Sequence, residues 1–261
     1  MSKKLSLKLN VDKFDDLIGK IKDVSNINEV VKLKINKDNI LLYSMKANDT
    51  AVLALKSYYI PTSDYFEDFN EDEMYNFIIV NAPKFIKGLQ FFDNKLPLKM
   101  DLISKPHHEE EDTMQIRSAQ FTNGKLKILA VGGEDSKIRD IKADMLEHRT
   151  DIENSLWRFQ IAKQDFQDIR KLSSIDTEEK ILSFNVDKGK VLAGEDSKWE
   201  LYVGDASKNI SYKIIFNKKY LSNINQDLEI IDFYMFETFI LAKDNNSNLM
   251  LSFEQSWDEN D

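Results

Sequence analysis

Side chains able to make or break bonds are sparse in this 261-residue chain. There is no cysteine, which removes thiolate nucleophiles, disulfides and Cys-ligated zinc together. No Gly-rich loop runs into Lys-Ser or Lys-Thr, and neither a nucleophile elbow nor a His-Glu-x-x-His helix is present. His107-His108-Glu109-Glu110-Glu111-Asp112 gathers ligand-type residues, but consecutive side chains rarely converge on one ion, so a solvated loop is expected there. Asp244-Asn245-Asn246-Ser247-Asn248 opens like a calcium loop, yet Leu249 stands where glycine is needed and Gln255 where the bidentate glutamate belongs. The expectation is a non-enzymatic chain with no catalytic residue, no metal and no cofactor.

The residues that could instead do binding chemistry are lysines in stretches without acids. The chain holds 45 Asp and Glu against 36 Lys and Arg, a net charge of -9 that argues against phosphate binding by the whole surface. Yet 81–92 and 217–226 contain no acid at all, where uniform composition would place about four. They carry Lys84, Lys87, Lys218 and Lys219. Two further helical stretches mix bases with acids: Lys13 and Lys20 with Asp16 and Asp23, and Lys163, Arg170 and Lys171 with Asp165 and Asp168. For one helix an ordinary solvated face explains such lysines. Recurrence on equivalent helices favours a positive surface on an otherwise acidic protein. Without aromatic or Asn/Gln base readers beside it, such a surface would contact the nucleic-acid backbone independently of sequence.

The elements that would position these bases are written twice. Around Trp157, alternation at Phe159 and Ile161 gives way to helical spacing at Phe166, Ile169 and Leu172; near the start, Leu7 and Leu9 give way to Phe14, Leu17 and Ile21. Each half continues with a hairpin: Val30 to Ile35 with Ile40 to Tyr43, and Ile181 to Val186 with Lys190 to Leu192, where Gly189 supplies the positive φ of the turn. Ala51 to Tyr59 is a further strand of the first half. A strand then leads into a second helix, Tyr75 to Val80 into 82–92 with Pro83 in the first turn, and Tyr212 to Phe216 into 217–224. Further strands close each half. Strands that follow strands, with two helices per half, predict an α+β fold of two similar domains of antiparallel sheet with the helices on one face. The domains are expected at 1–131 and 157–261, joined by a polar connector at 132–156 with a short helical stretch around Ile138, Ile141, Met145 and Leu146.

No apolar run approaches the roughly 18 residues of a membrane span, and the N-terminus lacks a signal core. A cytoplasmic protein without a membrane partner is expected, with an acidic tail at 257–261.

This order of elements given twice, with basic helices on an acidic chain and an acidic tail, resembles the sliding clamps. These are the ring-shaped processivity factors of DNA polymerases. The segment from Phe159 through Ile169, the Asp187-Lys188-Gly189-Lys190-Val191 hairpin and the stretch from Tyr212 to Tyr220 are similar to the second domain of clamps from T-even-type tailed phages. The resemblance implies a homotrimeric ring of six domains, like the proliferating-cell-antigen type, whose helices line a hole around duplex DNA. Lys13, Lys20, Lys84, Lys87, Lys163, Arg170, Lys171, Lys218 and Lys219 would then face DNA. It also implies partners: the replicative polymerase, a clamp loader and late-transcription proteins, docking by peptides in an apolar groove near the connector. Met145, Leu146, Leu251 and Phe253 are the groove candidates, with plain core or connector packing as the alternative. Two other readings stay open, a monomeric sequence-independent nucleic-acid-binding module and a β-rich enzyme or phage structural protein.

Overall fold

The computed structural model describes residues 2–47, 52–92, 97–108, 110, 112–134, 137–138, 140–141, 146, 150–175, 180–195, 198–224, 228–243 and 247–252, and the backbone of 254–255. The chain divides into two compact units, 1–45 with 56–142, and 46–55 with 143–261. The division therefore falls inside the polar connector, and the strand Val52–Pro61 gives its first four residues to the second unit.

In the first unit β1 (Lys3–Leu9) runs through a 3-10 turn into α1 (Phe14–Ser25). Asn10 ends the strand by accepting the Asp12 N–H on its side-chain oxygen. There follow β2 (Val31–Ile35), β3 (Asn39–Ala47), β4 (Val52–Pro61), the one-turn α2 (Thr62–Tyr65) and β5 (Met74–Ile79). Then come α3 (Ala82–Leu89), β6 (Leu98–Pro106), β7 (Thr113–Thr122) and β8 (Lys127–Val131). The strands form two runs, β4-β3-β2-β5 and β1-β6-β7-β8, joined by a short parallel pairing of Met74–Asn76 with Thr113–Gln115. Every other described strand pairing in the unit is antiparallel. α1 and α3 lie side by side, and Phe14, Leu17, Ile21, Ile86 and Leu89 share one core with Leu33, Ile35, Phe77 and Ile116 of the sheet.

The second unit repeats this. It contains β9 (Trp157–Ala162), α4 (Lys163–Ser173), β10 (Ile181–Asp187), β11 (Lys190–Glu195), β12 (Trp199–Asp205) and β13 (Tyr212–Asn217). A 3-10 helix at Lys218–Asn223 leads to β14 (Ile230–Met235), β15 (Phe239–Lys243), β16 (Ser247–Ser252) and the two-residue β17 (Glu254–Gln255). Its strand orders are β12-β11-β10-β13 and β9-β14-β15-β16, which match the first unit's strand for strand. Trp157, Phe159, Phe184, Phe216 and Phe233 form its aromatic centre, with Phe159 and Phe233 stacked at 5.0 Å.

Several elements depart from the sequence expectation, among them two in the second unit. β12 was not anticipated, although Trp199, Leu201 and Val203 alternate with Glu200, Tyr202 and Gly204. The second helix of the second half is six residues of 3-10 helix rather than α-helix. Asn217 there accepts the Lys219 N–H, and Ser222 and Asn223 follow, residues whose side chains compete for backbone groups.

Candidate nucleic-acid interface

α3 presents its cations most openly. Asn81 caps it by accepting the Lys84 N–H at 2.9 Å, and Pro83 suits the first turn, where its missing N–H has no intrahelical partner to lose. Phe85 packs edge-on against Phe77 and Phe121 and fixes the roll of the helix about its axis. Ala82, Ile86 and Leu89 are buried, so Lys84 and Lys87 stand exposed on the solvent side, with no ion pair among the described residues.

On α1 the basic face is largely spoken for. Lys20 bonds Asp16 at 2.5 Å and lies 5.5 Å from the centre of the Tyr58 ring, leaving 15% of its side chain exposed. Asp16 also accepts the Tyr65 hydroxyl. Burial acts to raise the Asp16 carboxyl, but Lys20 and Tyr65 outweigh it and hold it below the usual carboxylate range; the Tyr65 phenol is pushed up, by burial and then by Asp16. Two turns on, Asp23 takes the Tyr58 hydroxyl and the ammonium of Lys56, a residue 2% exposed, at 2.6 Å. The acids that seemed in sequence to weaken a positive face are therefore clips fastening α1 to β4 and α2. Lys13 remains exposed and makes no ion pair within 4.0 Å among the described residues, although its charge also helps to lower the Asp16 carboxyl. Lys22 is likewise exposed and without an ion pair there, a residue not expected from the sequence; its signal is the helical spacing of Asp15, Gly19 and Lys22, which places it on the exposed face of α1.

In the second unit α4 buries Phe166 and Ile169. Lys163 reaches Glu229 at 3.2 Å and Lys171 reaches Asp168 at 3.0 Å. Lys171, then Gln164, lowers the Asp168 carboxyl from its ordinary value. Arg170 is half-buried and free of ion pairs among the described residues. Lys218 is different in kind: its ammonium sits 2.9 Å from Glu195 and 2.8 Å from the carbonyl of Ser173 at the end of α4, with 14% of the side chain exposed. It neutralises a buried carboxylate and caps a helix C-terminus, where a cation is favoured. Lys219 is exposed, with its ammonium 4.7 Å from the centre of the Tyr220 ring.

Of the groove candidates, Leu146 and Leu251 are buried, the latter paired in register with Ile240, while Met145 and Phe253 lie outside the described residues. Among the described residues no cluster of His, Asp and Glu could hold a metal, and no helix is long and apolar enough to cross a membrane.

No protein-family model matches the chain, and no curated protein matches its sequence. Solved structures do match. A β clamp from Helicobacter pylori in complex with 5-chloroisatin superposes with a TM-score of 0.63 at 12% identity, over 99% of this chain and 65% of that one. The DNA polymerase III β subunit of Pseudomonas aeruginosa gives 0.63 at 11% identity, over 99% and 66%. The PCNA2–PCNA3 complex from Sulfolobus tokodaii gives 0.56 at 10% identity, over 97% of this chain and 99% of that one. The chain thus spans about two thirds of the length of the bacterial clamps and nearly all of the archaeal one. At such identities the likeness is one of architecture: two units with one strand order, each packing its helical segments on antiparallel sheet, give this chain the sliding-clamp fold.

Proposed function

We propose that the chain is a sliding clamp that encircles duplex DNA as a homotrimeric ring and tethers a replicative DNA polymerase. The observation that carries this reading is the likeness over almost the full length of both chains to an archaeal clamp of the same two-unit size. The exposed cations Lys13, Lys22, Lys84, Lys87 and Lys219, with the half-buried Arg170, supply diffuse attraction to phosphates without base contacts. Lys20, Lys163, Lys171 and Lys218 contribute less, since each already has an acidic partner. Affinity can stay weak because a closed ring cannot leave sideways. Tethering raises the polymerase's effective concentration at the primer end without bond-making by the clamp, which has no enzymatic role in this reading.

The duplication supports ring closure. In the second unit β16 lies beside the first residues of β4, and the Ser252 hydroxyl donates to the Val52 carbonyl. β16 corresponds to β8 and β4 to β12, and β8 and β12 are each paired on one side, with β7 and β11, and stand at sheet edges. Leu129, Val131 and Tyr202 on them are 61%, 73% and 51% exposed, a liability for an edge that stays open. Head-to-tail pairing of β12 in one copy with β8 in the next repeats the β4–β16 junction, and rotation closes it. A clamp loader, a ligase-like peptide of the kind bound to a Helicobacter pylori β clamp, and the late-transcription proteins of a T-even-type phage are the further partners this reading implies. Host cytoplasm is the matching compartment.

Encirclement is tested by threading. Protein incubated with linear duplex is expected to stay bound through a high-salt wash when both ends are then blocked by streptavidin, and to be lost when the ends are open. Equal retention on open and blocked duplex would overturn the proposal.

A further inference from the structure

The face of the first unit's sheet opposite the helices carries a row of buried polar groups. Alternation along β2 sends Val31, Leu33 and Ile35 to the core and Lys32 and Lys34 to the other side. There the register sets Lys32 beside Tyr43 of β3, Lys34 beside Asn76 of β5, and Asn76 beside Gln115 of β7. Such a row would ordinarily meet water. Instead Lys32 is 1% and Lys34 5% exposed, and Tyr43 and Asn76 are fully buried.

Gly132, Gly133 and Asp140 of the connector meet this face. Gly132 and Gly133 donate to the carbonyls of Arg117 and Ile78, and a Cβ on Gly133 would stand 2.5 Å from a methyl of Val80, so only glycine allows the approach. Asp140 then lowers its carboxylate between the two lysines, 2.5 Å from the Lys32 ammonium and 2.7 Å from that of Lys34, with the Tyr43 hydroxyl at 3.4 Å. Burial acts to raise this carboxyl, but the two ammonium groups overcome it and bring it down to about 2.

We propose that Lys32, Lys34 and Tyr43 form a carboxylate socket, filled in cis by Asp140, which an acidic peptide segment of a partner protein takes in trans by displacing the connector. Three features fit exchange better than a permanent pin. The occupant comes from a connecting segment, and 30% of its side chain is open to solvent, so there is a route in and out. The socket's chemistry, two ammonium groups and a phenol, is selective for a carboxylate over a neutral side chain. Beside it the Asn76 amide is buried with neither its oxygen nor its nitrogen partnered among the described residues, and the Gln115 side-chain oxygen is likewise unmet. Unmet buried amides are uncommon, and the main chain of an incoming peptide would satisfy them. The socket belongs to the first unit alone and holds whether or not the chain closes into rings.

The test uses the full chain, with labelled hexaglutamate as the probe and hexaglutamine as the control. Asp140→Asn removes the carboxylate that lies between Lys32 and Lys34. It is expected to bind hexaglutamate roughly tenfold more tightly than the unaltered chain, with the gain lost on adding Lys34→Gln and kept on adding Lys84→Gln. In the unaltered chain hexaglutamate, and not hexaglutamine, should speed tryptic cleavage after Lys137, a readout that does not depend on how well any variant folds. A gain that survives Lys34→Gln, no gain at all, or cleavage indifferent to hexaglutamate would each overturn the socket.

Discussion

α3 and the 3-10 helix Lys218–Asn223 occupy the same place in the duplicated strand order, yet Lys218 does opposite work from Lys84 and Lys87. On α3, Asn81 and Pro83 start a true α-helix, and Lys84 and Lys87 stand free of partners among the described residues. In the second unit the equivalent segment is too short and too rich in Asn and Ser for that, and Lys218 turns inward to Glu195 and the end of α4. Duplication preserved the topology while one copy spent its charge on folding. A lysine count taken from sequence therefore overstates the charge left for an anionic partner.

The comparison breaks most visibly at Lys218. Lys218→Met leaves the Glu195 carboxylate, whose side chain is 1% exposed, without its cation, and should destabilise the second unit by about 3–5 kcal/mol in denaturant unfolding. Lys84→Met, by contrast, should move stability by no more than about 0.5 kcal/mol. Comparable losses from the two substitutions would end the distinction.

Asp140 gives a smaller effect in the first unit. Its carboxyl is depressed on folding, so its contribution is complete above the ordinary carboxylate value and is lost as pH falls through about 2. Allowing for the part of the side chain open to solvent, on the order of 1–2 kcal/mol should disappear in acid, and Asp140→Asn should remove that portion of the pH dependence. An unchanged acid limb in the variant would contradict the assignment.

The charge comparison itself is sharpened on DNA. Lys84→Gln with Lys87→Gln should weaken duplex association about tenfold and flatten its salt dependence. Lys20→Gln should change it less than about twofold, because Asp16 already neutralises that ammonium. Equal losses would mean that the Asp16 clip opens when DNA arrives.

Much of the fold could be read in the residues because it is local. The switch from alternation to helical spacing at Phe14 and at Phe166 gave α1 and α4, and Lys188 and Gly189 take the positive φ angles expected of that turn. β12 was legible as well, since Trp199, Leu201 and Val203 alternate with Glu200, Tyr202 and Gly204 as a half-buried strand requires, although the sequence expectation omits it. The candidate site was read less well, for a physical reason. Whether a lysine is free depends on partners far along the chain: Glu195 lies 23 positions from Lys218, and Asp140 lies 108 from Lys32. No periodicity records such pairs. Leu146 and Leu251 carried the same ambiguity, since an apolar residue near a connector serves a core or a groove equally well in sequence, and both are buried.

Sedimentation equilibrium at micromolar concentration tests the central claim most directly. Three copies of the 30.4 kDa chain make a 91.2 kDa particle, and that is the mass a closed ring of β8–β12 junctions requires. A Val131→Pro variant, which removes an edge donor and bends β8, should shift the population toward 30.4 kDa. A strictly monomeric unaltered chain at that concentration would contradict the ring.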